Sequence, residues 1–323
     1  MSSIALNTFL DIFEYIFNKD IEEIMINKPH EIWCAQKGSY FQITETDILN
    51  KISHDFLLSL AHLIAEHTQQ KISNENPLLS ATLPNGFRVQ IVLPPSTENI
   101  AYSIRKKTEK LITLDEYEQF GMFKELQNQS IQQSDLNDLL KNNYIKEFLS
   151  KAVNMKKNIL ISGGTSTGKT TFMNTLLSLI PSHERIITIE DVREISTTKH
   201  LNSLHLTASK GNQGVANVSI QKLIEASLRL RPNRLIIGEL RGAEAFSFLR
   251  AINTGHPGSI ATLHADSPQM AFEQLKLMTS QSEFNIPIEY TTKYIKNIIN
   301  CIIQIKRHTN GQRYISEIYY HES

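Results

Sequence analysis

The stretch GGTSTGKTT, Gly163 to Thr171, decides how the rest of the chain is read. Gly163, four residues, Gly168, Lys169 and Thr170 fit the pattern G-x-x-x-x-G-K-[ST]. In that order the glycines let backbone N–H groups converge on phosphate oxygens. The lysine neutralises β/γ charge, and the Thr170 hydroxyl is placed to coordinate Mg²⁺. The same letters arise by chance in glycine-rich turns whose lysine is merely solvated, so the flanks matter. Apolar strand text, Asn158 to Ser162, precedes the loop, and helical text, TTFMNTLLSLI, follows it as far as Pro181. Strand, loop and helix in that order are the context a nucleotide cradle needs. Gly163, Gly164, Thr165, Ser166, Thr167, Gly168, Lys169, Thr170 and Thr171 are assigned to it, with ATP and Mg²⁺ as the expected ligands.

Outward from the cradle, short apolar runs alternate with helical text: KNILISG, RIITIED, RLIIGEL and SIATLHA. That alternation implies βαβ units and a parallel α/β sheet. Ligands of such sheets bind beyond the carboxyl ends of the strands, so the polar residues after each run are inspected first. IITI is followed by Glu190, Asp191 and Glu194; LIIG by Glu239 and Arg241, with Glu244 beyond; SIATL by His264. Asp191, Glu194 and Glu244 read equally well as helix caps or first-turn charges. Glu239 directly ends an apolar run, where an ATPase needs a carboxylate to orient water or a metal-bound water. His264 reads either as a partly buried structural histidine or as a sensor of the γ-phosphate. His256, in TGHPG, reads as part of a turn after a helix ending at Gly255.

The whole chain sets limits on function. Lys+Arg and Asp+Glu both total 33 in 323 residues, which gives no general attraction to nucleic acid or anionic lipid. Two cysteines, Cys34 and Cys301, permit no disulfide framework and no four-thiolate zinc site, and point to the cytosol. The apolar start carries Asp11 and Glu14 without a basic flank, against a signal peptide. YIKNIINCIIQIKRH, near the end, is too short and too polar to span a bilayer.

The N-terminal hundred residues have a different texture. Residues 4 to 17 show helical spacing; EEIMINKPHEIWCAQKGSYFQIT reads as short strands with turns at Asn27-Lys28-Pro29 and Lys37-Gly38; residues 47 to 69 read as one amphipathic helix. LLSATL and FRVQIVL flank Pro84-Asn85-Gly86, and the strand IAYSIRK follows. In these last two strands Arg88 and Arg105 stand opposite the apolar face, so both are expected on the polar side of a half-buried sheet. A solvated strand face is the alternative. The amide-rich text of 108–140 reads as a connection, and CIIQIKRHTNGQRYISEIYYH as a hairpin on Asn310-Gly311. The domain expectation is 1–115 for an N-terminal α+β domain, 116–141 for a linker and 142–323 for the ATPase domain.

GGTSTGKT, ITIEDVREI, LRLRPNRLIIGELRGAEA and TGHPGSIATLHADSP, in that order, resemble the Walker A, Asp, Walker B and His boxes of the secretion-superfamily traffic ATPases. The resemblance is closest to the hexameric ATPase of type IV secretion systems. It implies a RecA-like C-terminal P-loop domain, a smaller α+β N-terminal domain and nucleotide held between the two. It also implies a homo-hexamer, cytoplasmic and peripheral at the inner membrane, working with other secretion components in substrate transfer or pilus assembly. Carried across, Lys169 and Thr170 bind phosphate and Mg²⁺, Glu190 lies in the Asp box, Glu239 is the catalytic carboxylate and possible metal contact, and His264 is the His-box histidine. Arg88 and Arg105 match N-terminal arginines that reach nucleotide phosphates.

The chain departs from that pattern in three places. It lacks the cysteines of the four-cysteine insert common in type II relatives, its Walker B run ends without an aspartate, and Arg193 interrupts the acidic Asp box without a physical account. Two rival functions remain: a nucleic-acid translocase on the same core, for which the balanced charge gives no strong signal, and an assembly platform with incidental turnover.

Overall fold

The computed structural model describes residues 2–107, 135–209, 215–282 and 288–321. Most of the expected connection, 108–134, lies outside the described residues.

In the N-terminal half, α1 (Ser2–Phe17) buries Leu6, Leu10, Phe13 and Phe17 along one stripe. Strands β1 (Glu23–Ile26), β2 (Trp33–Gln36) and β3 (Ser39–Gln42) follow. The single helix expected over 47 to 69 is two: α2 (Thr46–Leu49) and α3 (His54–His67). The break comes from Ser53, whose hydroxyl accepts from the Phe56 N–H at 3.1 Å and starts a new helix. Then β4 (Leu78–Thr82), β5 (Arg88–Val92) and β6 (Ala101–Arg105) complete a six-stranded antiparallel sheet of order β3-β2-β1-β6-β5-β4. Helices α1 and α3 cover one face with a core that includes Val89, Ile91, Tyr102 and Ile104.

The other face is not the solvated surface that alternation predicts. Val92 and Ala101 join the core of the C-terminal half, and Gln90 and Ser103 are buried beneath it. Only at one end, where Arg88 stands opposite Arg105 and Arg105 opposite Glu23, do the arginines emerge.

The C-terminal half begins with α4 (Asp135–Lys141) and α5 (Ile145–Asn154). Leu136 sits in the same core as Phe148 and Ile161, so α4, within the expected linker, packs as part of this half. Strand β7 (Ile159–Gly163) leads through the glycine loop into α6 (Lys169–Leu177). Next come β8 (Ile186–Glu190), β9 (Ser203–Thr207), α7 (Ile220–Ser227), β10 (Arg234–Ile237), α8 (Glu244–Asn253), β11 (Ile260–Leu263), α9 (Pro268–Ser280), α10 (Ile288–Ile298) and the hairpin β12 (Cys301–Arg307) to β13 (Arg313–Tyr320).

The seven-stranded order is β13-β12-β7-β11-β10-β8-β9, parallel except for β13. Strands β7, β8, β10 and β11 are buried throughout, as parallel strands covered by helices on both faces must be. Alternate residues feed two cores, Ile159 and Ile161 toward α5 and α6, and Leu160 toward α8 and α9. Beneath the sheet, Arg234 at 0% exposure donates two bonds of 2.9 Å to the Glu184 carboxylate. β9, SLHLT, is the strand that sequence reading missed: its alternating burial marks an edge strand, with no apolar run.

Polar contacts join the halves. Arg231 donates to Glu22 and Glu23 at 3.0 Å each, Arg185 to Asn27 at 2.8 Å, and the Thr207 N–H to the Ser96 carbonyl at 2.9 Å. Arg193, unexplained in sequence, donates to Glu98 at 2.6 Å and so ties the Asp-box loop to the N-terminal half.

Candidate functional site

The cradle lies where β7, β8, β10 and β11 end. Gly163 closes β7 with no room for a side chain: a β-carbon there would lie 2.6 Å from the Ile305 carbonyl oxygen and 2.7 Å from Thr167 Oγ1. Gly168 has φ +89°, a left-handed conformation that favours glycine, and no side chain caps the helix it opens. The first N–H groups of α6 therefore face outward with the positive end of its dipole.

Lys169, largely buried, donates from Nζ to the carbonyls of Gly163 at 3.0 Å and Gly164 at 3.1 Å. Burial lowers its pKa from the ordinary value, while the Glu239 charge pulls it back up. Thr165, Ser166, Gly168, Lys169, Thr170 and Thr171 line a cavity of about 580 Å³. Gly163, Gly164 and Thr167 shape the loop behind that wall; Thr167 Oγ1 donates to the Gly164 carbonyl at 3.0 Å.

Opposite the lysine, His264 and Glu239 complete a chain of contacts. His264 Nδ1 lies 3.3 Å from Lys169 Nζ, and its Nε2 lies 2.5 Å from Glu239 Oε1. Oε1 is buried, with His264 Nε2 as its close contact. The other oxygen, Oε2, accepts from Arg241 Nε at 2.7 Å and also from its Nη2. Arg241 in turn donates to Asp191 at 2.5 Å.

The remaining carboxylates divide by what they touch. Glu190 accepts from the Glu194 and Ile195 N–H groups at 2.8 Å each, so one of its oxygens is spent folding the Asp-box loop. Burial raises its pKa against those bonds. Glu244 accepts from the Arg241 and Gly242 N–H groups at 2.6 and 2.8 Å, the capping role that sequence held open. His256 is elsewhere, 3.0 Å from the Pro232 carbonyl, in the turn expected for it.

The residues fit a nucleoside triphosphate: a loop with glycine at 163, 164 and 168, an uncapped helix terminus, a buried lysine and the Glu239 carboxylate border one cavity. Among the described residues no group of three or more His, Cys, Asp or Glu could hold a metal alone. A Mg²⁺ here would depend on the Thr170 hydroxyl, phosphate oxygens and water, as is usual for that ion.

Arg88 and Arg105 are not brought to this site. They line a separate cleft of about 990 Å³ between the halves, together with Glu23, Arg229, Arg231 and His256. That cleft borders the entry of β10, whereas the cradle lies beyond its exit. Arg313, on the cradle wall, was missed in sequence; its place depends on the pairing of β12 with β7, a long-range register that no local pattern reveals.

Residues 8–312 match the family model described as Type II/IV secretion system protein. The chain is 36% identical to the type IV secretion system protein VirB11 of Bartonella quintana, over 98% of this chain and 93% of the relative. It is 35% identical to a PtlH homologue, also a type IV secretion system protein, of Bordetella bronchiseptica, over 95% and 92%. Its structure superposes on the crystal structure of the Brucella suis VirB11 ATPase in complex with sulphate with a TM-score of 0.90, 32% identity and coverage of 99% and 95%. The chain belongs to the Type II/IV secretion system protein family, and its fold is a RecA-like C-terminal α/β domain with a smaller α+β N-terminal domain.

Proposed function

We propose that this chain is the ATP-hydrolysing motor subunit of a bacterial type IV secretion system, active as a homo-hexamer at the cytoplasmic face of the inner membrane. The observation that carries the reading is the unbroken set of contacts from Lys169 through His264 to Glu239 and Arg241 around one cavity. No helix among the described residues is long and apolar enough to cross a membrane.

Lys169 and the loop N–H groups would hold the β- and γ-phosphates. Bound Mg²⁺ would neutralise charge developing on the phosphates. Glu239 orients water for in-line attack. Arg241 holds the opposite oxygen of that carboxylate and fixes its plane. His264, touching both lysine and carboxylate, carries the loss of the γ-phosphate to the strand end of β11.

Arg88 and Arg105 open onto a different cleft from their own cradle, so they complete the site of a neighbouring subunit. The N-terminal domain then moves as a unit against the ATPase domain, with which α4 packs. Hydrolysis releases the arginines and lets the N-terminal domain swing, passing work to partners that handle protein effectors, conjugative DNA or pilin.

The test is the rate of ATP hydrolysis per subunit across protein concentrations, with Lys169→Ala as background, paired with secretion by a Glu239→Gln strain. The proposal expects a rate that climbs with assembly and a variant that binds ATP and forms rings without secreting. A flat rate equal to background, or normal secretion with Glu239→Gln, would favour an assembly platform instead.

A further inference from the structure

One cation on the cradle wall has no task in the mechanism above. Strand β12 runs parallel to β7 with Ile305 opposite Gly163, so the hairpin tip continues past the start of the glycine loop. On the returning strand Arg313 stands opposite Arg307 and Ile315 opposite Ile305. Residues opposite one another share a face, and Ile305 and Ile315 pack in the core beneath α6, the helix whose first turn is the cradle. The Arg313 side chain lies against Gly168. A β-carbon on Gly168 would meet its Nη1 at 2.8 Å, its Cδ at 2.9 Å and its Cζ at 3.0 Å.

Among the described residues no carboxylate forms an ion pair with Arg313 or with Arg307. Like charges directly opposite in a ladder destabilise it, and an anion supplied from outside the chain removes that penalty. A guanidinium beside a phosphate loop has the planar fork that matches phosphate oxygens.

We propose that Arg313 binds the phosphate chain of the nucleotide held by its own subunit. The proposal rests on the nucleotide reading above. Gly168 then serves two ends, the left-handed turn and the space in which the guanidinium lies. The site gains a fixed arginine present in the isolated subunit, distinct from Arg88 and Arg105, which arrive with a neighbour.

Equilibrium binding of a fluorescent ATP analogue to the full chain tests it, using Arg313→Gln, Arg313→Lys, Arg307→Gln and Lys169→Ala. Loss of one charge-assisted contact should weaken binding about tenfold in Arg313→Gln. Arg313→Lys should recover part of the loss. Arg307→Gln, which removes the same charge without a wall contact, should stay within about twofold because the remaining effect is screened. Thermal unfolding without nucleotide should be equal in the two glutamine variants and no lower than in wild type, since each removes one of the two opposed charges, which separates a lost contact from a damaged fold. Unchanged binding in Arg313→Gln would overturn the proposal, as would an equal loss in Arg307→Gln, which would reveal a general field effect. If Lys169→Ala binds like wild type, the nucleotide reading itself fails; if Lys169→Ala abolishes binding while Arg313→Gln is silent, only the role of Arg313 falls.

Discussion

The cradle end of the C-terminal sheet and the arginine end of the N-terminal sheet hold complementary chemistry in opposite states of readiness. At the cradle, parallel strands buried on both faces deliver Lys169, Glu239 and His264 into mutual contact, and Arg241 and Asp191 close the ring. At the other end two arginines stand opposite one another on antiparallel strands, exposed, with Glu23 turned toward Arg231. The first region is preassembled and, in the function proposed above, holds a nucleotide without a neighbour. The second places positive charges side by side at an energetic cost and becomes useful only when an anion is presented to it.

The contrast is broken most decisively at Arg105. Arg105→Ala should lower turnover by about 10³ to 10⁵, as for other arginines placed on developing γ-phosphate charge, while leaving ATP binding to dilute subunits nearly unchanged. Steady-state rates and binding isotherms on the same preparation check both halves of that statement. Glu239→Gln should cost about 10² to 10⁴ in turnover and also retain binding, since it removes water orientation without touching the phosphates. If either variant lost binding first, the division between a ready and a waiting region would fail.

A smaller effect concerns the platform under the cradle. Arg234→Ala leaves the buried Glu184 carboxylate without its two-bond partner, and should lower unfolding stability by about 3 to 5 kcal/mol in denaturant titrations. Burial raises the pKa of Glu184, but Arg234 and Lys156 outweigh it and hold the group below its ordinary value. The smallest effect is on pH dependence. His205 sits with Nδ1 2.8 Å from Thr188 Oγ1 and Nε2 2.9 Å from Thr197 Oγ1, and burial pushes its pKa down to about 4, with Arg193 adding to the shift. The unfolded chain binds this proton more readily than the folded one, so stability is present above the unfolded histidine value and falls as pH drops from there toward about 4. Denaturation midpoints across that window should slope less steeply in His205→Gln. A residual slope should remain, because burial also lowers His200 and His256.

Sequence made one of the two regions legible and half of the other. The cradle was readable because its chemistry is local: strand, glycine loop, lysine and helix are contiguous, and the carboxylates and His264 each follow an apolar run. The face that Arg88 and Arg105 occupy was readable from alternation, but not what covers it. Gln90 and Ser103 share that face and are buried by the other half of the chain, which no period-two pattern reports. Edge strand β9 lacks a hydrophobic run, and Arg313 depends on a register between strands more than a hundred residues apart. The partner of Arg193, Glu98, is similarly distant in sequence.

The central claim is that each site is completed by arginines from a neighbour, and mixing subunits tests it most directly. Lys169→Ala and Arg105→Ala proteins, each inactive alone, would be combined in equal amounts before assembly and assayed for ATP hydrolysis. Random ring formation should restore about a quarter of the wild-type rate, because an intact cradle on an Arg105→Ala subunit is served by a neighbour that keeps its arginine. A mixture as inactive as its components would place both groups in one chain's site and contradict the account.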